Sequence, residues 1–387
     1  VGAIWDAKKE KFIDDIKMIN MLRVKLSYGG SGNADNFPGG NYPYQNSYSQ
    51  GSYSGLNTII ATYPGNPDMK WESTFVTNFG VDYEILDRRI YGDINIYNKV
   101  TKDLFIQKTL SAAGGFGTGA ALNINAGKLG NKGTEININA EVLRKKDLVV
   151  TIFANYGYNK NRVLSLAGEQ PYEAGTELIK EGLPLGTHYE VKWGGVDAAT
   201  GMPLYYDKNG NLTNVYSQDN RVQDFGTWEA PHRGGFGLNA RYKSFEFSSL
   251  FSWQKGSYKM DNMEYFVENP VGFMERGYNQ SSSMIFWKKP GDIASTPSPL
   301  YGTNFSSKLI HDASFLRLRD VKIVYNVPKD LAKQLKFVSN ASIFVQGSNL
   351  YIWTKWRGTD PEAGATNINL SEFPNPRTIT AGLDVTF

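Results

Sequence analysis

Cysteine is absent from the 387 residues, which excludes disulfides, thiolate metal sites and a cysteine nucleophile. Histidine occurs only as His188, His232 and His311, far apart and without metal-ligand spacing. A charge excess is missing too. Lys+Arg 41 against Asp+Glu 38 leaves +3, no strong field for nucleic acid or an anionic surface. Nowhere do about 18 apolar residues run together, so a membrane-spanning helix is excluded. A transmembrane β-barrel is not, because its strands are only half apolar. Residues 1–20 show no basic segment followed by an apolar stretch, so no signal peptide is expected. The chain reads as a mature fragment or as one whose upstream part lies elsewhere.

What the sequence does have is aromatics at 13%, 40 glycines and a sustained period of two. From Trp71 to Ile85 the odd positions read Trp, Ser, Phe, Thr, Phe, Val, Tyr, Ile, and the even ones Glu, Thr, Val, Asn, Gly, Asp, Glu. Side chains on a strand alternate between faces, so this segment has one apolar and one polar face and spans about 50 Å. A strand of a soluble protein is typically far shorter. The same phase recurs at Leu148, Val150, Ile152, Ala154, Tyr156 and at Ile379, Ala381, Leu383, Val385, Phe387. Ten strands are expected, at 22–28, 71–86, 89–106, 133–144, 148–162, 233–242, 245–254, 312–327, 339–350 and 377–387. Between Leu316 and Val321 the apolar phase slips by one residue, which predicts a β-bulge.

The connections alternate in length. Residues 87–88, 145–147 and 243–244 are tight turns and 328–338 is a short link, whereas 29–70, 107–132, 163–232, 255–311 and 351–376 are long. Short turns at one end and long loops at the other is the layout of an outer-membrane barrel. Aromatics at strand ends, such as Tyr28, Tyr83, Tyr156, Tyr242, Phe245, Trp253 and Tyr325, suit interfacial girdles. The expected fold is therefore all-β, a transmembrane antiparallel barrel with polar residues lining a wet interior.

Motifs for covalent chemistry do not hold up. Gly235-Phe-Gly-Leu-Asn-Ala240 fits a dinucleotide fingerprint in letters only, since it lies inside a strand with no helix to follow. Asp207-Lys-Asn-Gly-Asn211 lacks the remaining ligands of a calcium loop, and Asn209-Gly210 between Leu204–Tyr206 and Leu212–Val215 is a hairpin turn. The expectation is a non-enzyme with no cofactor and no metal.

Several stretches resemble the SusC/RagA-type TonB-dependent transporters of Bacteroidetes outer membranes. Leu22-Arg-Val-Lys-Leu-Ser-Tyr-Gly-Gly-Ser-Gly-Asn33 is similar to the family's LKLRASYGxTGN. Asn66-Pro-Asp-Met-Lys-Trp-Glu-Ser-Thr74 resembles NPxLKWE-T, and Gly182–Gly186 with Asp197–Leu204 resembles GxPLG…DPATGxPL. Ser314–Val321 is similar to SFLRLRNV, with Asp320 where Asn is usual. Gln346–Leu350, Trp353–Lys355 and Gly358–Glu362 follow GQNLxxWTKYxGxDPE, with Trp356 where Tyr is common. Their order and spacing cover nearly the whole chain.

The resemblance implies that residues 1–387 are the C-terminal part, about ten strands, of a 22-strand barrel, with plug, TonB box and N-terminal strands outside this chain. It implies an outer-membrane importer of oligosaccharides or peptides, lidded by a SusD-like surface lipoprotein and driven by the TonB complex. Loops 163–232 and 255–311 would lie outside the cell and meet the lid. Trp193, Tyr206, Trp228 and Tyr258, each flanked by polar residues in a long loop, are the candidates for substrate contact. The alternative is a small plug-free outer-membrane barrel acting as surface enzyme or adhesin.

Overall fold

A computed structural model describes residues 1–33, 42–110, 121–282, 284–328, 331, 334, 338–364, 366–370 and 372–387. Eleven strands form one antiparallel sheet in which every strand pairs with its neighbours in sequence order. They are β1 (Gly2–Asp6), β2 (Ile19–Asn33), β3 (Glu72–Ile85), β4 (Ile90–Thr109), β5 (Ala121–Lys145) and β6 (Leu148–Ser165). Then follow β7 (His232–Tyr242), β8 (Phe245–Lys255), β9 (Phe315–Asn326), β10 (Asn340–Thr354) and β11 (Thr378–Thr386). All ten expected strands are present. The eleventh, β1, pairs Trp5 with Val24 and is too short to show alternation.

Two strands run much longer than expected, β2 over Ile19–Asn33 in place of 22–28 and β5 over Ala121–Lys145 in place of 133–144. β5 has 25 residues, about 80 Å at 3.3 Å each, well over twice a hydrocarbon core of about 30 Å. Its hairpin with β4 is paired as far as Thr109↔Ala121, so most of the loop expected at 107–132 is strand. The two-residue turn at Lys243–Ser244 has Lys243 at φ 52°, the left-handed twist that a tight hairpin needs.

The alternation translates into two faces. Phe79, Ile96, Ile138, Ile152, Ile323, Val345 and Leu383 are exposed on one. Register sets these residues beside one another across strands, as in Phe79↔Ile96 and Phe247↔Ile323↔Val345. Aromatics border the face on both sides. Tyr156 stacks on Trp253 at 6.1 Å near the long connections, and Phe245 packs on Tyr325 at 4.9 Å near the short ones. The opposite face is polar and cross-linked, with Lys25 on Asp82 at 2.5 Å and Asn137 donating to Asp93 at 3.1 Å.

The predicted bulge is at Arg319. Pairing jumps from Leu318 to Asp320 against both β8 and β10. Leu316 and Leu318 keep to the apolar face before the jump and Val321 returns to it after, so Arg319 and Asp320 both turn to the polar side.

Candidate substrate-binding site

The long connections at 163–232, 255–311 and 351–376 are bonded to one another rather than standing as separate flaps. Strand Tyr258–Asp261 pairs with Ile310–Asp312 on one side and Ile368–Asn369 on the other, joining two loops far apart in sequence. Lys259, 5% exposed, donates to the carbonyls of Pro361 and Gly364, both at 2.9 Å. Trp287 donates to the Ala198 carbonyl at 2.9 Å.

Buried charge fixes this bonded loop body to the wall. Arg317, 3% exposed, meets Asp360 at 2.5 Å and Glu362 at 2.6 Å, and Arg319 meets Glu362 at 2.5 Å. Asp360 also accepts from the Asn375 amide at 2.9 Å. Burial raises its carboxyl, but these bonds and Arg317 outweigh that and hold it below its usual range. Two of the quoted motifs, SFLRLRD and GTDPE, are thus halves of one clamp. A second cluster holds helix α1 (Asn262–Val267): Glu264 takes Lys308 at 2.5 Å, Arg357 at 3.3 Å and His311, and against its burial His311 and Lys308 pull its carboxyl down to about 2.

The four candidate aromatics split into two pairs. Trp193 and Tyr206 belong to a three-stranded loop sheet in which Trp193 faces Tyr205. Trp193 packs edge-on at 5.4 Å against Tyr205, which is 1% exposed, and Lys192 lies over the Tyr206 ring at 5.1 Å. The expected turn at Asn209-Gly210 closes this sheet, with Gly210 at φ +81° and Asp207 accepting from the Asn209 and Asn211 amides at 2.8 Å. Trp228 and Tyr258 lie in a different place. The Tyr258 carbonyl bonds Nε2 of His188, a fully buried ring whose pKa burial lowers, and Ser257 donates to the Trp228 carbonyl at 2.7 Å.

Of the four, Trp228 lines a polar cavity against the wall. This cavity of about 550 Å³ is bounded by Tyr97 and Lys99 of β4, Asn131 of β5, Asn159 and Asn161 of β6, and Glu177, Gly186 and Glu229 of the loop. Register brings the wall residues together, since Lys99 pairs with Asn131 and Asn131 with Asn161. Their side chains order each other. Tyr97 donates to Asn159 at 3.1 Å, Asn159 to Asn131 at 3.1 Å and Asn161 to Glu229 at 2.9 Å. Gly133 gives the Tyr97 ring its place, because a Cβ there would lie 2.4 Å from the ring. Trp228 is seated similarly by Gly186, at φ +81°, where a Cβ would fall 2.5 Å from the indole nitrogen. Burial raises the Glu177 carboxyl, against hydrogen bonds from Trp228 and Gly186. Beside the cavity Val163, Leu166 and Ile179 make a small core with Leu129, Tyr172 and Leu185, which pins the loop to the wall.

The motif segments turn out to be the loops' fastenings. Leu183 and Gly182 exchange backbone bonds with Val163 at 2.8 and 2.9 Å, and the Leu185 amide donates to Asn161 at 3.1 Å. Nothing in the sequence singles out the wall residues Lys99 and Asn159 beyond their place in the polar phase of expected strands, and Asn131 lies in the segment 107–132 expected as a loop.

No protein-family model matches the chain. Among curated proteins it is 28% identical over 446 residues to TonB-dependent receptor P39 of Formosa agariphila, covering 99% of this chain and 42% of that protein. It is 27% identical over 414 residues to TonB-dependent receptor SusC of Bacteroides thetaiotaomicron, covering 99% and 39%. Among solved structures it superposes on the RagAB peptide importer in its open-open state with a TM-score of 0.88 and 28% identity, covering 100% of this chain and 42% of that one. The chain therefore spans about two-fifths of the length of the relatives it matches. These relatives are receptors and importers, not enzymes. In its motifs, over its whole length and in its sheet, the chain is similar to the outer-membrane β-barrels of the SusC/RagA-type TonB-dependent receptors.

Proposed function

We propose that the chain furnishes wall and outer loops of an outer-membrane importer for oligosaccharides or peptides. It would work with a SusD-like surface lipoprotein that lids the mouth, and draw its energy from the TonB complex through a plug and TonB box carried outside residues 1–387. The observation that carries this reading is the superposition of all 387 residues on a peptide importer at a TM-score of 0.88.

The geometry supports transport without covalent chemistry. A polar, hydrogen-bonded inner wall offers many weak sites, and the loop body is fixed to that wall by buried ion pairs. A rigid rim of this kind is what a lid needs as a seat. Trp193 and Tyr206 on the loop sheet, together with Trp228 and Tyr258, remain the aromatics offered for substrate contact. Of these, Trp228 has the strongest geometric case.

Purification of the protein from its own outer membrane in mild detergent tests the reading. A surface lipoprotein should co-purify, and deleting the gene should abolish uptake of a labelled oligosaccharide or peptide. Protease added to intact cells lacking that lipoprotein should cut within 166–231 or 256–314. Cleavage there only after membrane rupture would reverse the orientation, and unchanged uptake of every nutrient tested would end the importer reading.

A further inference from the structure

The cavity at Trp228 is more selective than its position requires. Resting on the importer reading, we propose that it holds one ring of a neutral oligosaccharide, seated against Trp228 and hydrogen-bonded by Asn131, Lys99 and Glu229.

Three observations favour a sugar over a peptide. The first is the backbone. β4 and β5 are paired on both sides where they line the cavity. The pairing of β6 with β7 ends at Tyr158↔His232, and beyond it β6 is covered by loop backbone, with Asn159 donating to the Pro231 carbonyl and Val163 to that of Leu183. Peptides held by strand addition need a free sheet edge, and the edge of β6 is already taken by the loop residues Pro231, Gly182 and Leu183. The second is the lining. Leu129 and Leu185 are its only aliphatic members, so an apolar peptide side chain finds little to bury against, whereas amides, carboxylates, an ammonium and a phenol suit a ring of hydroxyls. The C–H face of a pyranose, slightly positive, packs on the negative face of an indole.

The third is order and charge. Asn131, Asn159 and Asn161 already use one another, Tyr97 and Glu229 as partners, so their remaining donors and acceptors point in fixed directions before a ligand arrives. The carboxylates of Glu177 and Glu229 against the single ammonium of Lys99 disfavour a uronic or sulfated sugar. No carboxylate pairs with Lys99 among the described residues, which leaves its ammonium for a hydroxyl.

Calorimetric titration of the detergent-purified protein with maltohexaose, xylohexaose, laminarihexaose, hexagalacturonate and a Gly-Ser hexapeptide tests this. At least one neutral hexaose should bind. Trp228→Ala should weaken it about tenfold or more, Trp228→Phe by no more than about threefold, and Asn131→Ala by about threefold. Binding of hexagalacturonate or the peptide alone overturns the sugar assignment and leaves the importer reading standing. Absence of binding by all three neutral hexaoses also overturns it. A loss with Trp228→Ala beside normal binding by Asn131→Ala would mean a collapsed loop, and would overturn the pocket. Failure of the importer reading itself is seen separately, as unchanged cellular uptake when the gene is deleted.

Discussion

The sheet and the loop body are held together by different physics. The sheet is a repeated backbone ladder whose apolar side is left exposed, at 42% for Ile138 and 46% for Ile152, and this suits contact with lipid rather than with protein. The loop body buries apolar side chains such as Val191, Met260 and Leu309, but sets charged groups among them. Buried ions tie it to the wall and within itself, among them Arg317 and Asp360 at 3% exposure and Glu264 at 4%. A ladder is redundant, since losing one side chain leaves the backbone bonds in place. A buried ion cluster is not, because each charge depends on its partner.

The largest effect should therefore come from the clamp. Arg317→Met leaves Asp360 and Glu362 facing a buried site without their guanidinium, which costs about 3–5 kcal/mol for breaking a buried pair. The expected result is release of residues 355–376 from the wall while the sheet persists. Hydrogen exchange should show lost protection at 358–364 and unchanged protection in β9. Adding Asp360→Asn should restore part of the loss. Loss of the whole sheet would show that clamp and wall are not separable.

On the wall, Ile152→Arg should cost about 2–4 kcal/mol if that position sits near the middle of the bilayer. Asn139→Arg, one residue from Ile138 and on the other face, should be tolerated. Folding titrations into lipid vesicles measure both. Equal costs would mean that the two faces are not lipid and water.

Titration should separate the regions further. Glu264 is held low by His311 and Lys308, so what it contributes is present above its unfolded value near 4.5 and lost as pH falls below it. Glu190, 5% exposed, is pushed up by burial to about 7. The folded chain then keeps a proton there that the unfolded chain has released, so the loop loses stability as pH rises from about 4.5 to about 7. Exchange protection at 190–191 and 221–222 should fall across that range and become flat in Glu190→Gln, while protection at 262–268 falls only in acid.

The sheet was legible in sequence wherever one face meets an apolar medium. Alternation gave β3 almost to the residue, and the phase slip at 316–321 located the bulge that turns Arg319 inward. Where a face leaves the apolar band the signal thins. In residues 121–132 of β5, Leu122, Ile124 and Ala126 keep one phase, but Lys128, Gly130 and Lys132 follow them while Leu129 stands in the other. The candidate site was half legible for the same reason. Trp228 stood out as an aromatic among polar neighbours, but Lys99 and Asn159 are ordinary polar-phase residues, and Asn131 reads as loop, until strand register sets them side by side. The clamp was visible only as two motifs, whose contact across 43 residues no spacing rule supplies.

The smallest predicted effect separates a recognisable residue from a working one. Lys70 stands in the motif Asn66–Thr74, and its ammonium reaches Asp103 at 3.0 Å with the lysine side chain 62% exposed. An exposed pair of this kind contributes about 0–1 kcal/mol, so Lys70→Ala should be nearly silent. Asn125 lies outside every motif, yet its side chain accepts from the Lys70 amide at 2.9 Å and donates to the Lys70 carbonyl at 2.7 Å. A third bond runs from it to the Asp103 carbonyl at 2.8 Å. At about 0.5–1.5 kcal/mol per bond, Asn125→Ala should loosen the 66–71 segment from the β4–β5 hairpin by more than Lys70→Ala does. Exchange rates of the 66–71 amides in the two variants measure the difference. Faster exchange in Lys70→Ala than in Asn125→Ala would mean that the surface ion pair, not the asparagine, fastens this loop.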